Sequence, residues 1–76
     1  MIIDKDSPEH PYVQLANWLR DSIRRGRIGP RLPSIKELTE QSGLSPATVK
    51  RAVKLLVDEK MVRTVRGRGT FVVSRR

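Results

Sequence analysis

Composition and charge limit what this chain can be. Its 76 residues allow one small domain, and the absence of cysteine excludes disulfides and thiolate metal sites. It has 16 Lys and Arg against 8 Asp and Glu, a formal net charge of +8 and a pI of about 11.2. This excess favours a polyanionic partner, nucleic acid before a membrane. The sequence contains neither an apolar run of membrane-spanning length nor a signal peptide, so we expect a cytoplasmic protein.

The positive charge is concentrated in the second half of the chain. Residues 34–76 hold ten basic and four acidic side chains, whereas residues 1–33 hold six and four. From Met61 onward there are five Arg and no acidic residue. This clustering favours a binding face over general solubility.

The first predicted elements are a polar segment and a helix. We expect residues 1–10 to form an extended arm. Apolar residues at spacings of three and four then predict an amphipathic helix that begins at Pro11, a favourable first helical residue. Gly26, Gly29 and Pro30 are predicted to end it. Its apolar stripe consists of Tyr12, Leu15, Ala16, Leu19 and Ile23.

Two further helices are predicted from their capping residues. Ser34 and Glu37 form a capping box, and Gly43 ends the helix that it opens. Ser45 followed by Pro46 starts a third helix. Its predicted buried stripe is Val49, Ala52, Val53 and Leu56.

The last predicted element is a β-hairpin. Alternation from Met61, a turn at Arg66–Gly69 and a β-rich return strand at Thr70–Val73 indicate two paired strands. Residues 74–76 are expected to be a frayed basic tail. The predicted fold is therefore mostly α with a small β-hairpin, a three-helix winged helix-turn-helix over residues 11–73. Tyr12 and Phe71 are assigned to its core.

The third helix, about residues 45–60, is the candidate recognition helix for a DNA major groove. Its hydroxyls suit phosphate or base contacts, Ala47 suits a thymine methyl group, and Lys50 or Arg51 suits a guanine edge. Two alternatives remain: the basic residues only form a solvated helix face, and the hydroxyls of Ser45 and Thr48 only serve the helix cap.

Two other basic sites accompany this helix. Arg66, Gly67 and Arg68 form a hairpin tip that suits a narrow minor groove, although an ordinary solvated turn is the alternative. Lys36, early in the second helix, is a candidate phosphate contact.

Several segments resemble the N-terminal DNA-binding domain of the GntR family of bacterial regulators, most of all its HutC and YtrA branches. The segments are 11–16, 32–38, 44–52 and 67–72. The resemblance implies operator binding, usually by a homodimer on an inverted repeat. The DNA contacts that it implies are Lys36, Ser45, Pro46, Ala47, Thr48, Lys50, Arg66, Gly67 and Arg68.

Three positions depart from the family pattern. Pro46 and Ala47 stand where polar residues are common in the family, so the operator need not follow a known consensus. Lys36 replaces the commoner Arg and exchanges a bidentate fork for a point charge.

The resemblance leaves the assembly open. Family members carry a C-terminal sensor and dimerisation domain, whereas the 76 residues end after the predicted wing. We therefore expect either a separate DNA-binding domain or a minimal regulator, with a monomer in isolation as an alternative to the homodimer.

No enzymatic chemistry is predicted. The single His10 lies in the arm, the acidic residues are dispersed, and no metal-ligand or cofactor motif occurs, so we expect neither catalysis, a metal nor a cofactor. The alternative function is a winged-helix module that docks an acidic protein partner or RNA.

Overall fold

The computed structural model describes residues 3–74, which form three helices and one antiparallel hairpin. The elements are α1 (Pro11–Arg24), α2 (Ile35–Ser42), α3 (Pro46–Asp58), β1 (Val62–Val65) and β2 (Gly69–Val72). The predicted fold class is confirmed. The first two residues of the predicted arm and the last two of the predicted tail lie outside the described part.

The predicted helix starts are confirmed by their caps. Ser34 Oγ accepts the Glu37 N–H at 3.0 Å, and the Glu37 carboxylate accepts the Ser34 N–H at 3.5 Å. Gly43 ends α2 in the left-handed conformation, with φ of 72°. Helix α3 begins at Pro46 behind the cap Ser45, but it ends two residues before the predicted limit.

The apolar stripes of the helices form the core with residues from the connecting segments and the hairpin. The predicted stripe of α3 is buried, whereas Tyr12 in the predicted stripe of α1 is only half buried. The α1 and α3 stripes face each other, so the opposite side of α3 is exposed. Core residues include Leu15, Leu19, Ile23, Leu32, Leu38, Val49, Leu56 and Val62.

Helices α1 and α3 lie side by side with their N-termini at the same end of the molecule. The Arg51 guanidinium carbon lies 4.0 Å from the centre of the Tyr12 ring, near both helix starts. Eight residues further along each helix, Arg20 Nε donates to Glu59 Oε1 at 2.8 Å. The two contacts fix the relative direction of the helices.

The segment before α1 is folded back on that helix. The Gln14 side chain accepts the Asp4 N–H at 2.8 Å and donates to the carbonyl oxygens of Asp4 at 2.7 Å and Glu9 at 2.9 Å. One amide therefore satisfies three backbone groups. Local bonds turn the segment as well, because the Asp6 N–H donates to Asp4 Oδ1 at 2.9 Å and the Glu9 N–H to Ser7 Oγ at 3.2 Å. Residues 3–10 therefore run through turns, and the prediction of an extended arm is wrong for them.

A short segment before α2 extends the hairpin on its β2 side. The Leu32 N–H donates to the Thr70 carbonyl, and the Val72 N–H donates to the Pro30 carbonyl, both at 2.8 Å. Phe71 is thereby placed between Arg31 and Arg63.

This pairing corrects two expectations about β2. Successive side chains alternate between the sheet faces, and Val72 packs against the core, so Phe71 belongs to the other face. Phe71 is half buried and not a core residue. Gly69, expected in the turn, pairs with Val65 as the first residue of β2.

Replacement of Gly69 by Ala should destabilise the hairpin. Gly69 has φ of 110°, and an added Cβ would lie 2.9 Å from Arg31 Nε. Arg31 can move, but the backbone strain remains, so we expect a loss of about 1–2 kcal/mol in the free energy of unfolding. Urea denaturation measures it. Gly29→Ala is the control: Gly29 has no close neighbour and no left-handed φ, and its replacement should be neutral or stabilising. Equal effects of the two changes would contradict the assignment of strain to Gly69.

The Arg20–Glu59 pair should make stability depend on acid pH. The hydrogen bond from Arg20 lowers the pKa of Glu59, against a smaller opposing effect of burial. A lowered pKa in the folded state gives a contribution that is present above the unfolded pKa and lost as the pH falls through the folded value. Because Glu59 is partly exposed, Glu59→Gln should cost at most about 1 kcal/mol at pH 7.

The difference in the free energy of unfolding between Glu59→Gln and the parent should become smaller below about pH 4. Denaturation at pH 7 and pH 3.5 measures the change, with the exposed Glu40→Gln as control. An equal loss from Glu59→Gln at both pH values would show that the ion pair is not the cause.

Candidate nucleic-acid interface

The start of α3 combines a capped helix end with one open backbone donor. Ser45 Oγ accepts the Thr48 N–H at 3.2 Å, and the two hydroxyl oxygens are 2.9 Å apart. Pro46 has no N–H, and the Val49 N–H donates to the Ser45 carbonyl. Within residues 3–74, the Ala47 N–H has no partner. The hydroxyls serve the cap and each other, and the helix offers one amide to an external anion.

The exposed side of α3 has two flanks, set by helical spacing. Pro46, Lys50 and Lys54 follow one another at intervals of four residues, and Ala47 and Arg51 form the neighbouring row. All five are exposed. The first row lies toward the hairpin and the second toward α1, as their contacts show.

The hairpin flank is a groove of about 420 Å³ between α3, the start of α2 and the sheet. Lys50 and Lys54 line it on α3, Thr64 and Thr70 on the hairpin, and Ile35 on α2. Lys54 Nζ lies 3.2 Å from the Asp58 carboxylate, whereas Lys50 has no ion pair among the described residues. Lys50 is therefore the free cation of this flank.

The flank toward α1 is formed by Arg51 and Tyr12. The guanidinium of Arg51 lies over the Tyr12 ring, and the ring of His10 stacks on Tyr12 with centroids 5.9 Å apart and planes at 16°. Lys50 and Arg51 thus point to opposite flanks of the exposed side of α3, although they are adjacent in sequence.

The wing tip is a three-residue turn, Arg66–Arg68. The Arg68 N–H donates to the Val65 carbonyl at 2.9 Å, and Gly67 has φ of 76°. Both Arg side chains and Gly67 are exposed. The turn presents two cations on either side of a residue without a side chain, as the sequence predicts.

Lys36 is exposed in the first turn of α2. Its neighbour Ile35 lines the same groove as Lys50. The start of α2 therefore lies next to the second turn of α3, and Lys36 directly follows the residue that lines the groove there.

The cations of the predicted site are not neutralised internally. Within residues 3–74, the ion pairs are Arg20–Glu59, Arg25–Asp21 and Lys54–Asp58. None of them uses a predicted site residue. The cations of the predicted site that stand outside these pairs are Lys36, Lys50, Arg51, Arg66 and Arg68.

Sequence reasoning missed the roles of two residues, one at the base of the wing and one beside α3. Arg31 is exposed, and its guanidinium lies against Gly69 at the base of the wing. Tyr12 was assigned to the core because it continues the apolar stripe of α1, yet it is half buried and carries Arg51. The sequence contains no local signal for either contact, because the partners are far apart along the chain.

Other kinds of site find no support in the described part of the chain. Residues 3–74 contain no group of three or more His, Cys, Asp or Glu side chains that could hold a metal ion. None of the helices found there is long and apolar enough to cross a membrane.

Three helices with a basic hairpin beside the third define a winged helix-turn-helix. The family model "Bacterial regulatory proteins, gntR family" matches residues 11–72, and the chain belongs to this family. The family consists of transcription regulators, and the domain matched here is its non-enzymatic helix-turn-helix domain. The resemblance seen in the sequence is thereby confirmed.

Individual relatives agree with this assignment. The repressor NagR of Bacillus subtilis is 42% identical over 74 residues, which are 95% of this chain and 30% of NagR. The chain thus spans less than a third of that relative. YtrA from Sulfolobus acidocaldarius, a GntR-family transcription factor, has a TM-score of 0.84 at 36% identity over 95% of this chain and 78% of its own.

A further solved structure contains DNA. The DNA-binding domain of AraR in complex with operator ORE1 has a TM-score of 0.85 at 28% identity, over 96% of this chain and 98% of that domain. The fold described above is therefore that of a GntR-type DNA-binding domain.

Proposed function

We propose that residues 11–73 bind a double-stranded DNA operator in a sequence-specific manner and thereby regulate transcription. Helix α3 enters the major groove with its first two turns, Lys36 contacts the phosphate backbone, and Arg66–Arg68 enters the adjacent minor groove. Relatives such as NagR and MngR are named repressors, which favours repression as the outcome. Because the chromosomal DNA of a bacterium lies in its cytoplasm, we propose that the protein is cytoplasmic.

The observation that carries this proposal is the distribution of free charge. The five cations of the predicted site have no carboxylate partner in the described chain, and they stand on α3, at the start of α2 and at the wing tip. Lys50 lines a groove shared by α3, the start of α2 and the hairpin. With the Ala47 N–H, one helical turn before Arg51, these cations form the proposed DNA-binding surface. Helix, wing and backbone contacts can therefore be made with one duplex at the same time.

The residues of this surface have separate roles in the proposal. The cap holds Ser45 and Thr48 at the helix start, where the one hydroxyl hydrogen not used between them and the Ala47 N–H can donate to a phosphate. Pro46 and Ala47 offer apolar contacts to base edges, such as a thymine methyl group. Lys50 and Arg51 donate to acceptors on the two sides of α3.

We further propose that the operator is an inverted repeat bound by a homodimer. One copy of this chain offers a single recognition helix and so reads one half-site. Two linked copies gain affinity because the second binding event becomes intramolecular.

Docking of an acidic protein or RNA is the second candidate, and the observations favour it less. Readers of single-stranded RNA stack bases on several exposed aromatic rings. This chain has one Trp, one Tyr and one Phe, and each is at least partly buried.

Selection of binding sites from a random duplex library tests the proposed function directly. A sequence-specific DNA-binding domain enriches one motif, and a palindromic motif shows that two copies bind together. Absence of any enriched duplex, with binding to single-stranded RNA or an acidic protein instead, would contradict the proposal.

Lys50→Ala should relax the specificity of binding. If Lys50 donates to a base edge on the hairpin flank, its loss costs about 1–3 kcal/mol on the selected operator and makes the protein indifferent to one base pair. Titration of the operator and its single-base variants measures both effects. Arg27→Ala is the control, because Arg27 is exposed beyond the far end of α1 and its replacement removes the same charge. Similar losses in the two variants would assign the effect to net charge alone.

Removal of the wing-tip cations should weaken binding without changing its sequence preference. If Arg66 and Arg68 each contact a phosphate or enter the minor groove, their replacement by Ala should reduce the magnitude of the slope of log affinity against log salt concentration. The expected reduction is about one unit for each variant. Binding isotherms at several salt concentrations measure the slope. An unchanged slope in both variants would place the wing away from the DNA.

A further inference from the structure

One exposed cation of α3 packs against an aromatic ring. The guanidinium carbon of Arg51 is 4.0 Å from the centre of the Tyr12 ring, which is van der Waals contact. Arg51 itself is exposed, and no carboxylate pairs with it within residues 3–74. The ring is therefore the contact that orients this side chain.

The Tyr12 ring is a fixed support. Tyr12 is half buried and packs against the hydrophobic core. His10 stacks on it with ring planes only 16° apart. The backbone around Tyr12 is fixed as well, because the Val13 and Gln14 N–H groups donate to the His10 carbonyl at the start of α1. A guanidinium that rests on this ring is restricted in a way that a lone surface Arg is not.

The restriction has a consequence for binding. An unrestrained Arg loses rotamer freedom when it is immobilised in an interface, and this loss lowers affinity. A guanidinium that lies over a ring uses none of its N–H groups in an ion pair, and these groups match a pair of acceptors in fork geometry. Guanine O6 with N7, or two phosphate oxygens, provide such a pair.

We infer that Tyr12 is a positioning residue, which holds the Arg51 fork ready for a pair of acceptor atoms on the operator. The inference rests on the proposed DNA-binding function and extends it. The α1 flank of α3 then contacts the operator independently of Lys50, and the N-terminus of α1 is part of the recognition apparatus.

A double-mutant cycle tests the inference. The proteins are the parent, Tyr12→Leu, Arg51→Gln, the double variant and Tyr12→Phe. Leu keeps an apolar side chain against the core, and Phe keeps the ring without the hydroxyl. Affinity is measured for an operator selected with the parent and for its single-base-pair variants, and thermal unfolding of each protein checks the fold.

The inference predicts coupling between the two residues. Tyr12→Leu should weaken operator binding by about 3- to 10-fold, which combines the lost cation–π contact with the freed rotamers of Arg51. Arg51→Gln should weaken it by at least as much. The double variant should bind like Arg51→Gln, and Tyr12→Phe should bind within about 2-fold of the parent because the ring face is retained.

The specificity profiles separate the two possible acceptors. If Arg51 meets a guanine, Tyr12→Leu and Arg51→Gln lose discrimination at the same operator position. If it meets a phosphate, both variants lose affinity equally on all sequences and show a smaller salt slope. Either matched pattern supports the positioning role of Tyr12.

Three results would overturn the inference. Tyr12→Leu binds like the parent, Arg51→Gln binds like the parent, or Tyr12→Leu causes the same loss with and without Arg51. The last result would mean that Tyr12 acts on the fold alone. Failure of the parent to enrich any duplex is a different outcome, because it rejects the proposed function itself.

Discussion

The packing of α3 against α1 is the contact on which the rest of the structure depends. Burial of one apolar stripe of α3 fixes the rotation of that helix, so its opposite side must face solvent. The contacts Tyr12–Arg51 and Arg20–Glu59 show its direction, with both N-termini at one end. The hairpin follows α3 after a short connection and stays beside it. A single packing arrangement therefore determines which residues can meet a ligand together.

Charge pairing complements this packing. The ion pairs of the described chain involve the C-terminal halves of α1 and α3, namely Arg20–Glu59, Arg25–Asp21 and Lys54–Asp58. Acidic partners are thus placed near the end of the molecule that is distant from the start of α3. The cations of the predicted site stand outside these pairs, as do Arg24 and Arg27 at the far end of α1. Their charge is therefore available to a polyanion without the loss of an ion pair.

Local patterns in the sequence were sufficient for the elements and for most of the candidate site. The capping box at Ser34, the cap at Ser45 and the glycine at Gly43 act within one helical turn, so their residues alone predict the helix ends. The support of Arg51 by Tyr12 joins residues 39 positions apart, as does Arg20–Glu59, and periodicity carries no information about such pairs. Periodicity is equally uninformative about the pairing of Arg31 with Phe71 and the contact of Arg31 with Gly69. The turns of residues 3–10 combine local bonds to Asp4 and Ser7 with the contacts of the Gln14 side chain, and only the Gln14 contacts lack a local signal.

We expect the starts of α1 and α3 to face the operator together with the wing. Amide chemical shifts in NMR spectra, followed during titration with the selected duplex, test this arrangement most directly. We expect large changes at His10 and Tyr12, at residues 45–51 apart from Pro46, and at residues 66–69, with small changes around Arg24–Arg27 at the far end of α1. Large changes at that far end, with residues 45–51 unaffected, would contradict the central claim that the exposed side of α3 is the binding surface.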